Sequence, residues 1–401
     1  MGYGDAAPGK CRVGRTEYNA HGFLPRTGRM FDADCRLPIA DCRLQQTLAQ
    51  HIDAGFDDIL DAEAGRRIER TRAVDGAFVG IRARYEVGDV LSIIRGVFAP
   101  VPPSLTHPDR EPLERRIVID GVELCYFEWG HADVATAPTV LLVHATGFHG
   151  RCWDRVVDAL PPDRHVISLD QRGHGRSAKV PPFNWASFGA DLTGFVAALN
   201  LTRIVGVGHS LGGHVVVQAT AAEQRRFERL VLVDPVIMDP ALYASMKDVM
   251  GTQRPQDHPT SRRKNIWQSW QEMFERLQGR GSFAVWRRDV LEDYCRHGVL
   301  PNPDGPGFVL ACPPLVEAAI YTGASGRDIH DLFGTIDVPV IVLRAEKRTR
   351  FEAMDFLASP TWEGLADQFP QGRDVYLPQL THFIPMQDPE LVARYIEGRD
   401  G

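Results

Sequence analysis

The chain has 401 residues, 44% of them hydrophobic and 24% charged, with a formal net charge of −7. That length accommodates one large domain with an added piece and a sizeable core, and the acidic balance lacks the basic footprint nucleic acid requires, so no nucleic-acid partner is expected. No apolar run approaches the ~20 residues of a membrane span, and the start of the chain lacks the features of a secretory signal, so the expectation is a cytoplasmic protein. Seven cysteines (Cys11, Cys35, Cys42, Cys125, Cys152, Cys295 and Cys312) are odd in number and form no Cys-x-x-Cys pair. Buried, reduced thiols are expected rather than a disulfide framework or a zinc site.

Residues 1–112 read as an N-terminal extension: a Gly- and Arg-rich start, one helix, and a Pro-rich linker over 100–108. In the helix Leu44, Leu48, Ile52, Phe56 and Ile59 fall at near-helical spacing. One apolar face therefore seeks a partner surface, either the main domain or a second subunit, which makes a homodimer one expectation.

From residue 113 short β-branched runs alternate with amphipathic stretches, the pattern of an α/β protein with a mostly parallel sheet covered by helices. Strands are expected at 116–120, 123–128, 139–144, 165–170, 203–208, 229–234, 339–344 and 374–377. Runs such as Val140-Leu141-Leu142-Val143 are apolar throughout, as strands buried on both faces are. The first two strands read as a hairpin across Asp120-Gly121.

The core is expected in two parts, 113–236 and 337–401, separated by residues 237–336. A stretch of about a hundred residues is too long for one crossover connection, and it is expected to form a helical cap. Its aromatic residues, Trp267, Trp270, Phe274, Phe283, Trp286, Tyr294 and Tyr321, either pack cap against core or line an apolar pocket, with Trp267 and Trp270 as pocket candidates. The basic group Arg254, His258, Arg262, Arg263 and Lys264 reads as a solvated face; the alternative is a site for a substrate carboxylate.

The densest motif is Gly206-Val-Gly208-His209-Ser210-Leu211-Gly212-Gly213, lying after a buried strand and before a helical stretch. A serine on a sharp strand-to-helix turn needs small neighbours, which Gly208 and Gly212 supply, and this context marks a nucleophile elbow. Leu211 then presents its backbone N–H beside Ser210 at a helix N-terminus, where a developing oxyanion would be stabilised.

With that motif in place, the chain from about Arg116 to Glu397 resembles the α/β-hydrolase superfamily, and further motifs follow in the superfamily's order. His144-Ala145-Thr146-Gly147-Phe148-His149-Gly150 resembles its His-Gly oxyanion loop, with Ala145 where glycine is usual. By that match Thr146 supplies the second oxyanion donor, and Phe148, His149 and His209 are candidate substrate contacts. Asp170-Gln-Arg172-Gly173-His174-Gly175-Arg-Ser177 is similar to the superfamily's turn after the fourth strand and reads as structural. Leu380-Thr381-His382-Phe383-Ile384-Pro385-Met386 resembles the segment carrying the superfamily's base, which points to His382 among fourteen histidines.

The acid stays open between two residues. The usual Asp position carries an arginine in Arg344-Ala345-Glu346-Lys347-Arg348, with Glu346 nearby. Asp234, ending the sixth strand, matches the acid of a branch that includes many haloalkane dehalogenases. Asp234 is preferred and Glu346 is the alternative; one carboxylate is needed to hold the imidazole tautomer.

The resemblance implies a serine hydrolase that needs neither cofactor nor metal and acts on a small-molecule ester or lactone through an acyl-enzyme. Serine at the elbow argues against dehalogenase and epoxide hydrolase chemistry, which use a carboxylate nucleophile in this fold. The alternatives are a carbon–carbon hydrolase of the ring-cleavage type and a non-catalytic ligand receptor.

Overall fold

The computed structural model describes residues 110–130, 137–246, 251–323, 326–346 and 356–399, all within the unit Val101–Gly401. The expected N-terminal helix, the linker over 100–108, and Cys11, Cys35 and Cys42 lie outside the described residues.

The strands are β1 (Leu113–Ile119), β2 (Val122–Trp129), β3 (Thr139–Val143), β4 (Val166–Leu169), β5 (Ile204–His209), β6 (Phe227–Val233), β7 (Ile266–Trp267), β8 (Val299–Pro301), β9 (Phe308–Leu310), β10 (Val340–Arg344) and β11 (Gly372–Tyr376). Eight of them form one sheet in the order β1-β2-β4-β3-β5-β6-β10-β11. The pairings from β4 to β11 are parallel, whereas β2 is antiparallel to β1 and β4. The hairpin turns at Asp120 (φ 47°) and Gly121 (φ 81°). Two left-handed residues in succession match the twist of the flanking strands, which is why Asp-Gly serves there.

The helices are α1 (Asp154–Asp158), α2 (Trp185–Ala198), α3 (Leu211–Ala222), α4 (Pro240–Met246), α5 (Trp270–Leu277), α6 (Arg288–His297), α7 (Pro314–Thr322), α8 (Ile384–Gln387) and α9 (Pro389–Ile396). Side chains alternate faces along a strand, and the strand sequences are apolar at both phases. Leu141, Val143, Leu230, Leu232, Val340 and Val342 therefore join one core with Phe188 and Phe195 of α2 and Val216 of α3. Val140, Leu142, Val205, Val207, Val231 and Val233 join another with Val156 of α1 and Val392 of α9. The helices begin where capping chemistry dictates: Asn184 accepts from the Ser187 amide ahead of α2, and Asp388 accepts from the Leu391 amide ahead of α9.

Residues 237–336 carry α4 to α7 and a small antiparallel sheet in the order β7-β9-β8. That sheet departs from the all-helical expectation, because strands of two or three residues are too short to show a period-two pattern. The insertion meets the main sheet in two ways. Trp267, Phe274, Trp286, Leu291 and Tyr294 cluster with Phe148, Phe383 and Met386, while Ile320, Ile329, Phe333 and Ile336 enter the core beside α2 and α3. Among the described residues no helix is long and apolar enough to cross a membrane, and Cys125, Cys152, Cys295 and Cys312 are buried free thiols.

Candidate active site

The C-terminal ends of β3, β5, β6 and β10 adjoin one another in the parallel sheet, the position where open α/β sheets present their ligand sites. At the end of β5 the chain turns into α3 at Ser210, whose backbone sits at φ 57°, ψ −119°. Non-glycine residues adopt such a conformation only when the surroundings hold them there. The Ser210 amide donates to the Val233 carbonyl (3.1 Å), and the Ser210 carbonyl accepts from Gly213 (3.1 Å) and Val236 (3.1 Å). The flanking glycines are steric necessities: a Cβ on Gly208 would lie 2.4 Å from the Gly212 backbone, and one on Gly212 would lie 2.1 Å from the Val143 oxygen.

His382, on the loop after β11, places Nε2 3.0 Å from Ser210 Oγ and Nδ1 2.6 Å from Asp234 Oδ2. Asp234 follows β6 and is fully buried. Its other oxygen, Oδ1, accepts from the Ala345 amide (2.9 Å), Ser359 Oγ (2.6 Å) and Thr361 Oγ1 (3.2 Å). Burial alone would push this carboxyl up; the hydrogen bonds from His382, Ser359 and Ala345 outweigh it and hold the pKa below the ordinary carboxylate range. The group is thus an anion, and Nδ1 is the protonated ring nitrogen that donates to it. Ser359 and Thr361 give no signal in the sequence, because they stand 125 and 127 positions from Asp234 with no local pattern to link them.

Glu346 is placed differently. Its side chain is exposed, and it joins the site through backbone alone, its amide donating to the Leu380 carbonyl and its carbonyl accepting from Ser359. Both nitrogens of His382 are occupied by Asp234 and Ser210.

The Leu211 amide opens α3, where helix N–H groups have no intrahelical acceptor, and Thr146 lies on the neighbouring loop beside the same cavity. Two buried histidines shape that loop. His174 Nε2 accepts from the Gly147 amide (3.0 Å) while Nδ1 donates to the Arg172 carbonyl (2.9 Å). His144 Nε2 accepts from the Gln171 amide (3.1 Å) while Nδ1 donates to the Ala145 carbonyl (2.7 Å). Each ring must accept from a backbone N–H, so each must be neutral, and burial lowers both pKa values accordingly. The turn that contains His174 is tied further by Asp170, which accepts from the Gly150 and Arg176 amides (2.6 Å each), and by the buried pair of Arg172 with Asp191.

A cavity of about 150 Å³ opens above Ser210 and His382. Phe148 and His209, two of the expected contacts, line it. His209 Nε2 donates to the backbone carbonyl of His382 (2.8 Å), and burial, with His382 alongside, pulls its pKa down to about 3. His149 lies behind the wall instead: its ring stacks on Tyr294 (5.8 Å between centroids), and Nε2 donates to the Tyr294 carbonyl (3.0 Å). Trp267 and Trp270 also sit away from the lining. Trp267 is drawn into the small sheet with Lys264 4.2 Å above its ring, and Arg296 covers the ring of Trp270 at 4.7 Å. The insertion contributes Phe283, Trp286, Tyr294 and Tyr321 in their place.

The basic group of the insertion disperses. Arg254 pairs with Asp257 and Lys264 with Glu272 at the surface, and His258 stacks on Tyr321. Arg263 alone of these five has been turned to the cavity with a charged partner, Glu317, and a hydrogen bond to Tyr294 Oη (3.1 Å). Among the described residues Asp154, Asp293 and His297 lie close enough together to hold a cation, but their carboxylates are already neutralised by Arg151 and Arg155.

A family model described as "Alpha/beta hydrolase family" matches residues 140–395, and the chain belongs to that family. Among curated proteins it is similar to the lipase LipV of Mycobacterium tuberculosis, at 25% identity over 65% of this chain and 93% of the relative. It is also similar to a non-heme chloroperoxidase of Burkholderia pyrrocinia, at 34% identity over 29% of this chain and 43% of the relative. The chain spans about two fifths of the length of the first curated relatives it matches, 40% and 43%. Among solved structures, E-2-(acetamidomethylene)succinate hydrolase superposes with a TM-score of 0.56 at 21% identity, covering 72% of this chain and 98% of that one; a likeness at that identity speaks for the fold.

Proposed function

We propose that this protein is a serine hydrolase that cleaves a carboxylic ester or lactone of a medium-sized, mainly apolar molecule. The observation that carries the reading is the unbroken hydrogen-bonded series Ser210–His382–Asp234 opening into an aromatic cavity. Ser210 Oγ attacks the carbonyl carbon as His382 Nε2 takes its proton, and Asp234 stabilises the imidazolium. The Thr146 and Leu211 amides receive the oxyanion. His382 returns its proton to the leaving alkoxide, an acyl-enzyme remains, and His382 next deprotonates a water that releases the acid.

Residues 237–336 act as the cap of this site, since Phe283, Trp286, Tyr294 and Tyr321 line the same cavity as Ser210. The ester class is supported by the lipase relative, which aligns over nearly its whole length. Carbon–carbon hydrolysis of an acidic ring-cleavage product is disfavoured because the cationic group at the cavity, Arg263, already has Glu317 as its counter-ion.

The test is fluorophosphonate labelling with peptide mapping, alongside turnover of short-chain aryl esters. Ser210 is expected to carry the label, and Ser210→Ala to lower turnover by about 10⁴–10⁶-fold with an unchanged circular dichroism spectrum. Label on another residue, or turnover retained by the Ser210→Ala protein, would reject the reading.

A further inference from the structure

The cavity is not uniformly apolar. Beside the rings of Phe148, Trp286 and Phe383, its lining carries a polar wall of Arg263, Glu317 and Tyr294, whose ring packs on Phe148 and Trp286. Arg263 donates through Nη1 to Glu317 Oε2 and through Nη2 to Tyr294 Oη. The guanidinium fork has five N–H groups, and no further acceptor among the described residues takes the others. Arg263 keeps 31% of its side-chain surface accessible, whereas Glu317 keeps 7%.

This wall adjoins the oxyanion loop. Glu317 fills the space left by Gly147, where a Cβ would lie 2.6 Å from Glu317 Oε1. A ligand group resting on the wall is therefore next to the atoms assigned to the reacting carbonyl. Burial pushes the Tyr294 hydroxyl up to about 12, so it keeps a proton to donate while its oxygen accepts from Arg263.

The charge balance decides what fits. Arg263 and Glu317 cancel, and the wall as a whole is neutral while offering N–H and O–H donors beside a carboxylate acceptor. A ligand carboxylate would add a second negative charge next to Glu317 in a partly desolvated site, where like charges at close range repel far more strongly than in water. A carboxamide meets both halves: its oxygen accepts from Arg263 and Tyr294, and its NH₂ donates to Glu317.

We propose that the Arg263–Glu317–Tyr294 wall is a specificity determinant selecting substrates with an uncharged donor–acceptor group, a carboxamide above all, and rejecting the matching carboxylates. The inference rests on the hydrolase reading for its meaning, but its test reads binding rather than turnover. Ser210→Ala protein is titrated calorimetrically with hydrocinnamamide and with hydrocinnamate. The amide is expected to bind at least about tenfold more tightly, and Glu317→Gln on the same background to close most of that gap by improving hydrocinnamate binding.

Equal or tighter binding of hydrocinnamate by the Glu317 protein, or no binding of either compound, overturns the proposal, as does a gap that Glu317→Gln leaves intact. Should Glu317→Gln fail to fold, the comparison of the two ligands on the Glu317 protein decides alone. Fluorophosphonate labelling of the wild type separates the two readings. Labelled Ser210 without amide preference removes this inference only, and amide preference without labelling removes the hydrolase reading.

Discussion

The two sides of the cavity are held by different forces. On the sheet side Ser210, Asp234 and Thr146 sit just past strand ends whose ladders fix their backbones, and Asp234 is gripped by Ala345, Ser359 and Thr361 as well as His382. On the insertion side the contacts are largely ring against ring, Phe283 with Trp286 at 5.1 Å and Trp286 with Tyr294 at 5.4 Å between centroids. Hydrogen bonds are directional and locate an atom closely, as reacting groups require, whereas aromatic packing accepts a range of shapes of similar volume. Under the proposed mechanism, chemistry belongs to the first side and substrate choice to the second.

The sharpest break of that contrast comes from the sheet side. Asp234→Asn is expected to lower kcat by about 10⁴-fold, because the imidazole loses the partner that fixes its tautomer, while Glu346→Gln leaves kcat about unchanged. Steady-state kinetics of the two variants on one aryl ester decides it; a comparable loss in the Glu346 variant would move the acid role.

An intermediate effect is expected from the insertion. Trp286→Ala, at the lining, should lower kcat/KM for bulky acyl esters by on the order of tenfold, mostly through KM. Trp270→Ala, whose ring lies beneath Arg296, should leave both constants in place. Equal effects of the two tryptophans would dissolve the distinction between lining and packing.

The last effect is on stability rather than on turnover. Burial holds His209 at about 3 and His149 and His214 at about 4, against about 6.5 in the unfolded chain. Since the unfolded state then binds protons the folded state refuses, stability is full above about pH 6.5 and falls as the pH drops toward 4, by on the order of 2 kcal/mol per histidine. The lowered carboxyl of Asp234 adds to the loss at still lower pH, below its unfolded value of about 3.9. Urea midpoints measured between pH 8 and pH 4.5 should decline through that window, and His214→Gln should flatten the decline; a midpoint that rises on acidification would refute the assignment of neutral buried rings.

Features that depend on neighbours in the chain are legible in the sequence alone. The apolar runs of β3, β5, β6 and β10 are buried on both faces because both phases of each strand are apolar, and the Asp120-Gly121 turn and the glycines around Ser210 answer to backbone conformations that few other residues adopt. What the linear chain leaves open is every choice between residues of equal chemistry. Asp234 and His382 are 148 positions apart, and only the parallel pairing of β6 with β10 sets Asp234 against Ala345 and leaves Glu346 facing solvent. Trp267 and Trp286 are equally aromatic; a two-residue strand draws one into the small sheet, and packing on Phe148 brings the other to the cavity. Arg263 and Lys264 are adjacent and equally basic, yet Glu317, 54 positions away, turns the first inward while Glu272 holds the second at the surface. Residue type dictates local backbone and burial, but which of two like side chains meets a distant partner is settled by the closure of long loops in three dimensions.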